Sequence, residues 1–162
     1  MTSLYLPARK KPEFLICAIH AGVEDGTAEL AAAIHALAPD RAGLFLDTRK
    51  RHITSRRYAD PLFNGIVAQY DRVISVHGMR DSGPVSVYVG GGDAALARRV
   101  RAALGEPVGR TPPRHLAGVH PDNVANRGIR RGLQLEFASD YRSPMSPLHA
   151  WIVRRIGQVL FV

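Results

Sequence analysis

The chain has 162 residues, 46% of them hydrophobic and 22% charged, a balance that excludes a disordered polymer and allows one domain with a substantial core. Its formal charge of +8 points to polyanionic partners (nucleic acid, an acidic lipid surface or an acidic polymer) without choosing among them. Cys17 is the only cysteine, which rules out an internal disulfide and a cysteine metal knuckle, so any metal must be held by histidines and acids.

Residues 1–12 read as a flexible or loosely packed N-terminal segment of a single domain spanning 1–162. The apolar run that follows, Phe14 to Ile19, is too short for a signal-peptide core or a membrane span, so the expected location is the cytoplasm. That run, "FLICAI", is continuous rather than alternating, as in a strand buried on both faces. "GTAELAAAIHALA" (26–38) then predicts a helix with Thr27 capping its first turn and Pro39 closing it.

The pattern repeats. "GLFLD" (43–47) reads as a strand, "DPLFNGIVAQY" (60–70) as a helix with Pro61 at its first position, and "RVISVHG" (72–78) as an apolar strand ending in His-Gly. Next come the β-branched strand "VSVYVGG" (85–91) and the helix "DAALARRVRAALG" (93–105), with Asp93 as N-cap and Gly105 as C-cap. After the Pro-rich connection 106–114, "GLQLEFA" (132–138) predicts a strand with Leu133, Leu135 and Phe137 on one face and Gln134 and Glu136 on the other. "PLHAWIVRRIGQVL" (147–160) closes the chain as an amphipathic helix with Trp151 in the core. This alternation predicts an α/β fold, helices covering both faces of a mostly parallel sheet.

In such a sheet ligands bind beyond the carboxyl ends of the strands. Two predicted strands end there in histidine, His20 and His77, each followed closely by a glycine, and the loop after His20 adds Glu24 and Asp25. Two imidazoles and a carboxylate with an open position make a catalytic zinc site, whereas a strand-end histidine can equally just bond a nearby carbonyl. Glu136, a carboxylate within an apolar strand, is either a general base of raised pKa or a residue on the wet face of an edge strand. "GVHPDNVANRGIRRG" (118–132) gathers His120, Asn123, Asn126, Arg127, Arg130 and Arg131, guanidinium groups that could grip carboxylates or phosphates.

In sequence order, "IHAGVEDGTAEL", "RHITSRRYADP", "VISVHGMRD", "VYVGGGD" and "LAGVHPDNVANRGIRRGLQLEF" resemble the poly-γ-glutamate hydrolases of bacteriophages and bacteria, a family often labelled phage-related replication proteins. The resemblance runs from about Ile19 to Phe137, and its last segment is the most specific. It implies a zinc carboxypeptidase-like, three-layer α/β/α sandwich with a mostly parallel or mixed central sheet and one zinc ion, acting on γ-glutamyl amide bonds of a polyanionic polymer. It further implies His20, Glu24 and His77 as zinc ligands, Glu136 as the general base, and Arg80, Asn126, Arg127, Arg130 and Arg131 as substrate-binding residues. His52 and His120 fall at the rim or behind the ligands.

The family pattern is close to HGGxIEPGT, and this chain departs from it. The loop between His20 and Thr27 is one residue shorter and carries Asp25 where the pattern has proline, which leaves Asp25 as the alternative carboxylate ligand. Two other readings stay open: a nucleic-acid-associated protein without hydrolase activity, and a hydrolase of the same design for another N-acyl amino acid or peptide.

Overall fold

The computed structural model describes residues 1–7, 12–80 and 86–162. In chain order its elements are β1 (Thr2–Tyr5), β2 (Phe14–Ala18), α1 (Thr27–His35), β3 (Ala42–Asp47), α2 (Pro61–Ile66), β4 (Arg72–Gly78), β5 (Val87–Gly90), α3 (Ala94–Leu104), β6 (Gly109–Arg110), β7 (Leu133–Phe137), α4 (Ser139–Arg142) and α5 (Pro147–Leu160). Three 3-10 turns, Val67–Gln69, Arg114–Leu116 and Val124–Asn126, supplement them. The strands form one mixed sheet in the order β1-β3-β2-β4-β7-β5-β6, in which β3, β2, β4 and β7 run parallel. β5 runs antiparallel to β7. No helix among the described residues is long and apolar enough to cross a membrane.

The central strands alternate between two cores. Phe14, Ile16 and Ala18 of β2, Ile74 and Val76 of β4, and Leu133, Leu135 and Phe137 of β7 face the layer built by α1, α3 and α5. Leu15, Cys17 and Val73 face the opposite side with Phe63 of α2, Tyr58 and Val124. A continuous apolar run is what two buried faces require. Among the described residues this second cluster is the smaller and draws its strand residues from β2, β3 and β4, not from β7 with Gln134 and Glu136. The corner around Gln134 and Glu136, at the carboxyl end of the parallel strands, is where a cavity forms.

Caps follow the chemistry of their residues. Asp60 accepts the backbone N–H groups of Leu62 and Phe63, Asp93 that of Leu96, and Ser146 that of Leu148. Three local expectations change. Thr27 does not cap α1: Gly26 holds that position in the left-handed region at φ 80°, and the Thr27 hydroxyl instead donates to the Glu24 carbonyl at 2.7 Å. Trp151 is half-buried rather than fully in the core, with the Arg155 guanidinium over its ring. Residues 2–5, expected within a loose segment, form an edge strand antiparallel to β3, pairing Thr2 with Asp47 and Tyr5 with Leu44. Residues 8–11 of that segment, and Val85 of the strand predicted over 85–91, lie outside the described residues.

Candidate metal centre and catalytic cleft

Past β2 the chain makes a single helical turn, in which the His20 carbonyl accepts the N–H groups of Val23 and Glu24, each at 2.9 Å. Residues four apart on such a turn share a side, and Glu24 Oε1 accordingly lies 2.9 Å from His20 Nδ1. The turn fits because Gly22 sits against the backbone of Thr48 and Arg49, where an added Cβ would stand 2.4 Å from either carbonyl oxygen. Asp25, the alternative acid, is exposed, and its backbone carbonyl accepts from Arg142. The shortened loop therefore still delivers Glu24.

His77, the penultimate residue of β4, points to the same spot. Its Nδ1 lies 3.2 Å from His20 Nδ1 and 3.6 Å from Glu24 Oε2, and that oxygen accepts the Gly78 N–H at 2.9 Å. An outer contact fixes the tautomer of His20. His20 Nε2 is 2.7 Å from the Ile53 carbonyl oxygen, and because a carbonyl can only accept, that nitrogen carries hydrogen. His77 Nε2 is 2.8 Å from the Ser75 hydroxyl, to which it can donate. A neutral His20 then turns a bare Nδ1 toward His77 Nδ1 and toward the Glu24 carboxylate. Two imidazoles and a carboxylate facing one point are a donor set that could hold a cation.

The spacing of the donor atoms suits a divalent metal. Donor atoms on a tetrahedral zinc ion at 2.0–2.1 Å are about 3.3 Å apart, close to the separations found here. His52 adds a further donor: its ring stacks on His20 at 4.3 Å between centroids, and its Nε2 lies 3.8 Å from Glu24 Oε1. Donor atoms of His20, Glu24 and His52 all fall within 4.8 Å of one another. The donors His20, Glu24 and His52 thus could hold a nitrogen- and oxygen-preferring metal ion, with His77 Nδ1 beside them.

Electrostatics agree with that geometry. Burial by itself would raise the Glu24 carboxyl, but the bonds and positive character of His20 and His77 outweigh it and hold the group well below the usual carboxylate range. Burial would lower His77, yet the bond to Glu24 and the charges of Glu136 and Glu24 raise it. Glu136, paired in register with His77 across β7 and β4, is raised, chiefly by burial. A carboxylate made more basic beside a donor cluster is suited to proton transfer. Cys17 offers no nucleophile, since burial pushes its thiol up to about 12.

A family model described as poly-gamma-glutamate hydrolase matches residues 6–148 of the chain. The chain belongs to this family. Its fold is shared with a solved structure described as bacteriophage poly-gamma-glutamate hydrolase, at 20% identity and TM-score 0.81 over 98% of this chain and 87% of that one. It is also shared with a structure described as "YNDL-apo (Zinc-free)", at 22% identity and TM-score 0.69 over 99% and 87%. A gene product of Agrobacterium tumefaciens, Atu2144, is similar at 13% identity and TM-score 0.58 over 98% and 93%. Among curated proteins none matches the sequence.

In this poly-gamma-glutamate hydrolase relative the donor cluster and Glu136 line a cavity of about 1280 Å³, together with His52, Arg80 and His120. The other residues expected to bind substrate are not brought to it. Asn126 spends its amide on backbone, accepting from the Gly92 N–H after β5 and donating to the carbonyls of Gly118 and His120 in its own loop. Arg130 pairs with Asp71, which precedes β4, and Arg131 precedes β7; both lie toward the far end of the parallel strands. Arg127 is half-buried and donates to backbone carbonyls of Ser55, Arg56, Tyr58 and Asp122, which fastens the loop after β3 to the loop before β7.

Other arginines take the positions those residues were expected to fill. Arg56, Arg57 and Arg114 line the cavity with Arg80; all four are exposed and have no ion pair among the described residues. Arg41, Arg49, Arg72 and Arg130, elsewhere in the fold, each hold a carboxylate. "RHITSRRYADP" carried the signal for Arg56 and Arg57 through its paired arginines; Arg114 had none, because only the fold brings the connection after β6 to the cleft.

Proposed function

We propose that this chain is a zinc-dependent hydrolase that cleaves γ-glutamyl amide bonds of poly-γ-glutamate or a related acyl-glutamate substrate. The family and the fold support a hydrolase. The observation that carries the finer reading is the convergence of His20 Nδ1, His77 Nδ1 and Glu24 beside Glu136, on the floor of a cavity lined by arginines that have no ion pair among the described residues. A structural relative described as zinc-free points to the same ion.

His20, Glu24 and His77 would hold the zinc, with His52 at its open side. The ion supplies Lewis acidity to the amide carbonyl and to the attacking water. Glu136 takes the proton of that water and returns it to the departing α-amine, so the amide C–N bond breaks as the C–O bond forms and no proton is lost. The buried setting of Glu136 raises its carboxyl and makes it a better acceptor for that proton. Arg56, Arg57, Arg80 and Arg114 would hold the substrate's free α-carboxylates, in the paired geometry a guanidinium offers.

The test is to follow new amines released from poly-γ-glutamate, an ordinary α-peptide and short N-acyl-glutamates, with and without zinc. Expected is zinc-dependent cleavage of the γ-linked polymer, abolished by Glu136→Gln with zinc content retained. His77→Ala that left zinc content and cleavage intact would sink the metal assignment. Preferential cleavage of the short substrates would move the reading to another N-acyl amino acid.

A further inference from the structure

Glu136 does not stand alone in the cleft. Gln134, two residues earlier on the same face of β7, donates one amide N–H to Glu136 Oε1 at 2.8 Å and the other to the Leu116 carbonyl at 3.1 Å. Its own amide oxygen accepts from Asn123 Nδ2 at 2.8 Å, and Asn123 Oδ1 accepts the Ala125 N–H at 3.0 Å. Gln134, Glu136 and Asn123 are all buried.

The direction of every bond in this chain is forced. The Ala125 N–H can only donate, so Asn123 must present its oxygen there and its NH₂ to Gln134; Gln134 must then turn its NH₂ toward Glu136 and Leu116. Space is kept for that amide by Gly118, which sits at φ +64° and whose added Cβ would stand 2.7 Å from Gln134 Cβ and 2.8 Å from its amide oxygen. Glu136 Oε1 is therefore a committed acceptor, while Oε2 has no hydrogen-bond partner among the described residues. A carboxylate tethered by one oxygen keeps a single orientation, and the other oxygen does the proton transfer.

We propose that Gln134, oriented by Asn123, is a positioning residue that occupies Oε1 of Glu136 and assigns the proton-transfer step to Oε2. This rests on reading Glu136 as the general base. Among the described residues Gln134 and Asn123 make no side-chain hydrogen bond to the donor cluster or to the cleft arginines, so their loss is expected to act mainly on turnover.

Two near-isosteric variants test it. Gln134→Met removes the tether with little change in volume. Asn123→Asp keeps the acceptor for Ala125 but replaces the donor to Gln134 by a second acceptor, which flips the Gln134 amide and confronts Glu136 Oε1 with an oxygen. Both are expected to lower kcat about 10- to 100-fold, the range found for groups that orient a reacting side chain, with KM and zinc affinity within about twofold of wild type. A purely structural role predicts that folded Asn123→Asp turns over like wild type, and that result would overturn the proposal even if Gln134→Met failed to fold. So would a change confined to KM or zinc affinity. Crystal structures of the variants give a readout independent of substrate: the Glu136 carboxylate should leave its single orientation, and an unmoved carboxylate refutes the tether. A wild-type protein inactive on every γ-glutamyl substrate would instead refute the functional reading, with the carboxylate orientation still deciding the tether.

Discussion

Replacing Arg127 by alanine should destabilise the protein and loosen one wall of its cleft. The guanidinium donates through Nη1 to Tyr58 O at 2.7 Å, through Nη2 to Ser55 O and Arg56 O at 3.2 Å and Asp122 O at 2.8 Å, and through Nε to Asp122 O at 2.9 Å. The contacts to Arg56 and Asp122 are solvent-exposed and water can replace them; those to Tyr58 and Ser55 are partly buried. A hydrogen bond from a charged donor contributes about 1.5–3 kcal/mol net, and with partial rehydration of the two carbonyls the loss comes to about 2–4 kcal/mol. Urea unfolding measures it as a lower midpoint at unchanged slope. Arg127→Lys should recover less than half, since one ammonium cannot span carbonyls on both loops. Because the loop from 51 to 58 carries His52, Arg56 and Arg57, KM for an acidic polymer should rise more than kcat falls. An Arg127→Ala protein within about 0.5 kcal/mol of wild type would refute the view that this arginine fastens the two loops.

Acid unfolding should report Asp47, which is buried and accepts from Arg49 and Tyr58. Burial would raise its carboxyl, but those bonds outweigh burial and lower it from 3.8 to about 2. A group depressed in the folded state stabilises above its unfolded value and loses that contribution as pH falls, here about 2 kcal/mol lost between about pH 4 and pH 2. Asp47→Asn should be less stable at neutral pH and lack that part of the acid transition, as denaturant titrations across the pH range will show. Arg56→Glu with Arg57→Glu should raise KM for poly-γ-glutamate by at least tenfold and flatten its dependence on salt, measured from 0.05 to 0.5 M salt. Cleavage of an uncharged amide analogue should be little affected, because screening acts on the charges that meet the polymer.

The sequence by itself determined the periodic structure and which strands carry polar side chains to the cleft. β4 and α5 lie where their apolar patterns predict, and the alternation of Leu133, Leu135 and Phe137 against Gln134 and Glu136 fixes which face of β7 is core. His20, His77 and Glu136 stood out as polar residues in or at the end of apolar runs, and the structure brings all three to one cleft. Tertiary structure decided what depends on distant segments meeting. The turn at His20 makes Glu24 rather than Asp25 the facing carboxylate, and His52 joins the cluster only because the loop after β3 folds over His20. The arginines differ most: one local look, a guanidinium in a polar loop, covers an ion pair for Arg130, a carbonyl clamp for Arg127 and an open cleft position for Arg114. A long flexible cation takes its role from whatever acceptor the fold brings within reach, and one-dimensional spacing carries no record of that distance.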